Sequence, residues 1–152
     1  MQLIWAGDSS PAARDAIVGF VARQVKGAER GFGSCVTMGV IDGETLIAGM
    51  VFHNYSPECQ TIELSGAAIS KRWLTRRVFN EMFSYAFEQA GCQMLVARHS
   101  EHNKPLRRMW RAVGASEYLI PRLRGRTEAE AIATYTFEAW WEGRTMKGKR
   151  NG

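Results

Sequence analysis

Cysteine is scarce in this chain, and Cys35, Cys59 and Cys92 form no metal-binding spacing. An odd count, with two of them in strand-like runs, points to reduced thiols in a reducing compartment, here read as the cytoplasm. Long apolar runs are missing too. None approaches the roughly 20 residues that span a bilayer, so no membrane segment is expected. Met1-Gln-Leu-Ile-Trp5 has neither a basic start nor a cleavage site, which argues against a signal peptide. No internal repeat is found. Acidic residues are outnumbered, 15 against 20 Lys and Arg, leaving a net charge of +5. That balance favours an anionic ligand, nucleic acid or an acidic surface without choosing among them.

What is present is ordinary for one globular domain: 152 residues, 45% hydrophobic and 23% charged. Such a chain buries about two-thirds of its unfolded surface. We expect the domain to occupy residues 1–142, with 143–152 as a basic, flexible tail.

The stretch from Gln60 to Arg98 organises the rest. Thr61–Ile69 reads as a strand carrying one acid, Glu63. Ser70–Arg77 is a basic turn that opens a helix. Leu74, Val78, Phe79, Met82, Phe83 and Ala86 recur at helical spacing and predict its buried face. Gly91 stops that helix, and Cys92–Arg98 is a short apolar strand. A strand-helix-strand unit of this kind gives two parallel strands. The helix start then sits at their carboxyl ends, where free N–H groups and basic side chains favour a phosphate.

Before this unit, Gln2–Ala6 reads as a strand. A helix starts after Asp8-Ser-Ser-Pro11, buries Ala13, Ala16, Ile17, Phe20 and Val21, and ends near Gly27. Cys35–Ile41 and Thr45–Asn54 form a hairpin around Asp42-Gly43. After it, Asn103 caps a helix with an apolar stripe of Leu106, Met109, Trp110 and Val113, ended by Gly114. His99, Glu101 and His102 fall in what reads as an exposed loop, and no metal site is inferred from them. Glu117–Leu123 and Ala133–Ala139 read as a final antiparallel pair, with a helical turn over Thr127–Ala131. The order β α β β β α β α β β predicts a mixed, mostly antiparallel sheet with helices on both faces.

This order and three local patterns resemble the GNAT superfamily of acetyl-coenzyme A-dependent N-acetyltransferases, its ribosomal-protein and small-molecule branch in particular. The patterns are Ile62-Glu63-Leu64 to Ala68-Ile69, the basic turn after it, and Asn103-x-x-Leu-x-x-Met-Trp-x-x-x-Gly114. The resemblance implies a single α/β domain that moves acetyl from acetyl-coenzyme A to a primary amine of a small molecule or protein, and it allows a homodimer. It implies Glu63 as general base, with Ser65 beside it on the same strand face. It implies coenzyme contacts from Ala68, Ile69, Ser70, Arg72, Leu74, Thr75, Arg76 and Arg77, then from Asn103, Arg107 and Trp110. Lys71 joins the arginines as a phosphate contact. Arg107, Arg108 and Arg111 form an exposed face within reach of the adenosine 3′-phosphate.

Two departures stand out. The run Arg72–Arg77 has no glycine where the family's pyrophosphate turn carries one. Trp110 replaces the family tyrosine that protonates the departing thiolate, and an indole N–H donates a hydrogen bond but is no acid near neutral pH. Trp110 is therefore expected to pack against the sheet, with Tyr118 as a substitute proton source. A non-catalytic protein on the same fold is the alternative, and a basic nucleic-acid binder a more distant one.

Overall fold

The computed structural model describes residues 1–150, with side-chain surroundings for residues 1–144. Seven strands form one sheet: β1 (Gln2–Ala6), β2 (Cys35–Asp42), β3 (Thr45–Ser56), β4 (Thr61–Ala68), β5 (Met94–Ser100), β6 (Ser116–Gly125) and β7 (Glu128–Thr136). Their spatial order is β1-β2-β3-β4-β5-β7-β6. All neighbours are antiparallel except β4 and β5, which run parallel as the strand-helix-strand reading requires.

That parallel pairing is brief. Thr61, Ile62 and Glu63 pair with Met94, Leu95 and Val96, and the strands then part. Each follows its other neighbour: β4 stays on β3 as far as Ala48–Ala68, and β5 stays on β7 as far as Ser100–Glu130. From Leu64 onward the β4 backbone edge that faces β5 has no strand partner. A gap lined by peptide groups opens in the middle of the sheet.

Helix α1 (Pro11–Ala22) covers one face. Ile17, Phe20 and Val21 are buried there, whereas Ala13, also expected to be buried, is only half-buried and Ala16 is exposed. Gly49 of β3 makes the close approach of α1 possible: a Cβ at this position would lie 2.9 Å from the Val21 side chain. Helices α2 (Arg76–Ser84) and α3 (Lys104–Val113) cover the opposite face. Thr75 caps α2 by accepting from the Val78 amide at 3.2 Å. A π-helical segment, Tyr85–Gln89, continues α2 and tilts Ala86 and Phe87 into the core. Gly91 and Gly114 follow these helices with positive φ, as expected of terminators. Phe83 sits at the centre of an aromatic cluster, 5.9 Å from Trp110 and 5.0 Å from Tyr135 between ring centres.

Three expectations need correction. Leu74 is exposed, because a short 3₁₀ turn (Lys71–Trp73) delays the start of α2 and takes Leu74 off its buried stripe. No helical turn occupies Thr127–Ala131. A two-residue turn at Arg126-Thr127 joins β6 to β7, and the alanines at positions 129, 131 and 133 are strand residues flat enough to pack beneath helices. The last strand ends at Thr136, and α4 (Phe137–Arg150) follows, packing Trp140 against Phe87 at 5.2 Å. It runs through most of the stretch read as a flexible tail, while residues 151–152 lie outside the described ones.

Candidate functional site

The gap between β4 and β5 opens into a cavity of about 800 Å³, a volume suited to a small ligand. Its walls come from both faces of the sheet. Ser65, Ala67, Lys26 and Arg98 line it on the α1 side, and Met82, Leu106, Met109 and Trp110 on the α2/α3 side. The parted strands thus frame a passage through the sheet.

Glu63 and Ser65 stand at the mouth of the parting on the α1 side. Glu63 is the last β4 residue still paired with β5. Its carboxylate accepts a 3.3 Å hydrogen bond from the Asn54 amide, lies 3.4 Å from His53 Nε2 and 3.8 Å from Arg98 Nε. Asn54 reaches it because β3 bulges there, with Asn54 at φ 50°, a conformation asparagine tolerates. Ser65 Oγ lies 2.9 Å from His53 Nε2. Burial lowers the His53 pKa below the ordinary histidine value, against the pull of the Glu63 carboxylate, so the imidazole is neutral near pH 7. Sequence reading missed His53: nothing in Phe-His-Asn distinguishes it, and only the cross-strand register with Glu63 brings it in.

Arg98 carries the ion-pair ladder onward. It lies 3.5 Å from Glu130, which in turn accepts from Arg124 at 3.1 Å. Arg124 is reached through an irregularity in β6 between Ile120 and Gly125.

At the other end of the cavity the expected coenzyme residues divide. Ala68, Ile69, Ser70, Lys71 and Leu74 line it, as do Asn103 and Trp110. Asn103 also caps α3, accepting from the Leu106 amide at 3.3 Å. Arg72, Thr75, Arg76 and Arg77 do not line it. Arg72 turns instead to Asp42 at 3.1 Å, and Arg77 to the Met1 carbonyl at 3.4 Å. The turn itself uses several of its own amides: Arg72 N–H bonds Ser70 Oγ, Leu74 N–H bonds the Lys71 carbonyl and Thr75 N–H bonds the Trp73 carbonyl. The Arg76 and Arg77 amides, in the first turn of α2, have no intrahelical acceptor.

Arg107 is a structural clamp. It forms a forked pair with Glu117 and donates to the Glu101 carbonyl at 2.9 Å, tying the start of α3 to β6. The hydrogen bond from Arg107 holds the Glu117 pKa below the usual carboxylate value.

His99 overturns its reading as an exposed loop residue. It lies on β5, 5% exposed, on the face of Leu95 and Ala97, and it lines the cavity. Both of its ring nitrogens and the Trp110 Nε1 are buried without a hydrogen-bond partner. Burial lowers the His99 pKa to about 4. Such orphaned polar atoms on a cavity wall are what a polar ligand would satisfy. Trp110 packs against Phe83 and Tyr135, as its stripe predicts. Tyr118 is 56% exposed on β6 and does not line the cavity, which argues against it as a proton source. Among the described residues no group of His, Cys, Asp and Glu is arranged to hold a metal ion, and no helix is long and apolar enough to cross a membrane.

No family model matches the chain, and no curated protein does. Solved structures do. A spermidine N-acetyltransferase SpeG chimera from Vibrio cholerae and hSSAT superposes with a TM-score of 0.69 at 12% identity, over 93% of this chain and 99% of that one. A protein described as a phosphinothricin N-acetyltransferase gives 0.61 at 18% identity, over 89% and 98%. The ribosomal-protein-S5-alanine acetyltransferase of Vibrio fischeri gives 0.60 at 13% identity, over 70% and 63%. The mixed seven-stranded sheet with its one parallel pair, β4 and β5, matches the fold of these solved acetyltransferases, the GNAT fold.

Proposed function

We propose that the protein is an N-acetyltransferase that takes acetyl from acetyl-coenzyme A and delivers it to a primary amine. The observation that carries this reading is the cavity at the parting of β4 and β5, lined by Ser65 and Arg98 on the α1 side and by the turn before α2, Ser70, Lys71 and Leu74, at the other end, with Glu63 at the last β4–β5 pair beside it. The residues present suit an acyl thioester. The β4 peptide groups from Leu64 to Ala68 lack a strand partner on that edge, and His99 and Trp110 offer unsatisfied polar atoms. The thioester supplies the activated acetyl group. The parted peptide N–H groups would stabilise negative charge developing on its carbonyl oxygen.

Glu63 is the base in this proposal. Asn54, His53 and Arg98 hold its carboxylate at the β4 edge, where it accepts the amine's proton directly or through water. Ser65, bonded to His53, orients the same corner. Lys71, which lines the cavity in the turn before α2, would in this reading meet the coenzyme's phosphates together with the Arg76 and Arg77 amides of the first turn of α2.

One observation favours a non-catalytic reading: the indole at Trp110 cannot protonate a thiolate. Thermal melting with acetyl-coenzyme A, followed by thiol release with an amine panel, separates the two. Ligand at about 100 times its dissociation constant should add roughly 2.7 kcal/mol of stability. A melting shift with thiol release supports the enzyme, and a shift with no release from any amine supports the binding protein. No shift at millimolar coenzyme removes both. Lys71→Ala should weaken coenzyme binding more than Arg76→Ala or Arg77→Ala.

A further inference from the structure

Resting on the acetyltransferase reading, we infer that the acceptor is an amine bearing a carboxylate or similar anionic group, and that Lys26, Arg98 and Arg124 at the α1-side mouth select it. Among the described residues that line the cavity there is no Asp or Glu, whereas these three cations do line it. The nearby carboxylates stand behind them. Glu130, 5% exposed, lies between Arg98 and Arg124, and Glu63 lies beyond Arg98 on β4; neither lines the cavity.

The cations keep donors free. Arg98 sits 3.8 Å from Glu63 and 3.5 Å from Glu130 and forms a hydrogen bond with neither. Arg124 commits its Nη1 to Glu130 and approaches Glu128 with Nε at 3.7 Å, which leaves its Nη2. Lys26, just after α1, makes no ion pair among the described residues and is exposed. Guanidinium groups with unsatisfied forks bind carboxylates well. A polycationic amine would meet like charge at this mouth.

The same charges assist the chemistry. Nearby cations disfavour an ammonium ion, so the acceptor nitrogen is more readily the neutral nucleophile. In the transfer, that nitrogen forms the N–C bond to the acetyl carbon and the C–S bond breaks. The proton lost from nitrogen ends on the coenzyme's sulfur, through Glu63 and solvent. Nothing further is consumed.

The test compares acceptors that share an amine and differ in charge: α-amino acids, the same compounds as their primary amides, and spermidine. Thiol release is measured on the full chain at saturating acetyl-coenzyme A. The expected result is that kcat/KM for the best amino acid exceeds that of its amide by about tenfold or more, the effect of one charge-assisted hydrogen bond. Spermidine should be poorest. Lys26→Gln with Arg124→Gln should shrink the acid-to-amide ratio toward one by raising KM for the acid; Lys26→Gln alone, an exposed change, should shrink it in part. Amides or spermidine used as well as or better than the acids would overturn the anionic acceptor while leaving the acetyltransferase standing. Thiol release from no acceptor would overturn the acetyltransferase reading and this inference with it.

Discussion

The two faces of the sheet are built from different chemistry. Under α2 and α3 lies a dry aromatic cluster of Phe83, Phe87, Trp110, Tyr135 and Trp140. Across the sheet, past the edge of α1, a run of ionisable side chains crosses strand after strand: His53, Glu63, Arg98, Glu130 and Arg124. The first arrangement gains stability from apolar area and ring contacts. The second consists mostly of largely buried groups, whose pairing is set against the cost of taking charge out of water, so it is hard to justify on stability alone. It is the proposed acetyl transfer that would give this row of charges a use.

This contrast can be broken from either side. The largest expected effect is on the charged face: Glu63→Gln should slow acetyl transfer by about 10²–10⁴-fold while coenzyme affinity and melting temperature stay near the parent's. Equal rates would return Glu63 to a purely structural role. On the dry face, Trp110→Ala should remove about 3–5 kcal/mol in urea unfolding by leaving a cavity, whereas Trp110→Phe should fold with a smaller loss.

The third effect is acid sensitivity of the dry face's one unsatisfied imidazole. His99 titrates near 6.5 when unfolded and about 4 when folded, so its contribution is complete above 6.5 and is lost as pH falls through that window. The loss approaches roughly 3 kcal/mol below both values. His53 acts in the same direction. Urea midpoints of the parent should therefore fall more steeply across this range than those of His99→Gln. The smallest effect is at the rim: Arg72→Ala breaks an exposed pair with Asp42 and should change stability by less than about 1 kcal/mol.

Much of the architecture was legible because it rests on local signals. Pro11, Asn103, Gly91 and Gly114 punctuate helices through their own backbone preferences, and the stripe around Trp110 needs only helical spacing. Within the candidate site, reading one strand was enough to group Ser65 with Ala68, Ile69 and Ser70, which line the cavity, and to put Glu63 on the face of Ser65. It was illegible where long-range register decides. His53 joins Glu63 only through the β3–β4 pairing, and Arg124 joins Glu130 only through the irregularity in β6. In the basic turn, counting cations cannot show that Arg72 pairs with Asp42 on a distant hairpin. Charge and histidine also misdirected the reading of His99: polar neighbours suggested a loop, but β5 extends to Ser100 and carries the ring inward.

The brief pairing of β4 with β5 makes this sheet behave mechanically as two ribbons, four strands and three, riveted by three residue pairs at one end. Beyond the rivet, nothing in the ladder resists a small scissoring of the ribbons. An extended ligand lying between them would supply the missing rungs and lock the angle. Amide hydrogen exchange along Leu64–Ala68 and Ala97–Ser100 should then slow together when the gap is filled, since both edges would gain one shared splint.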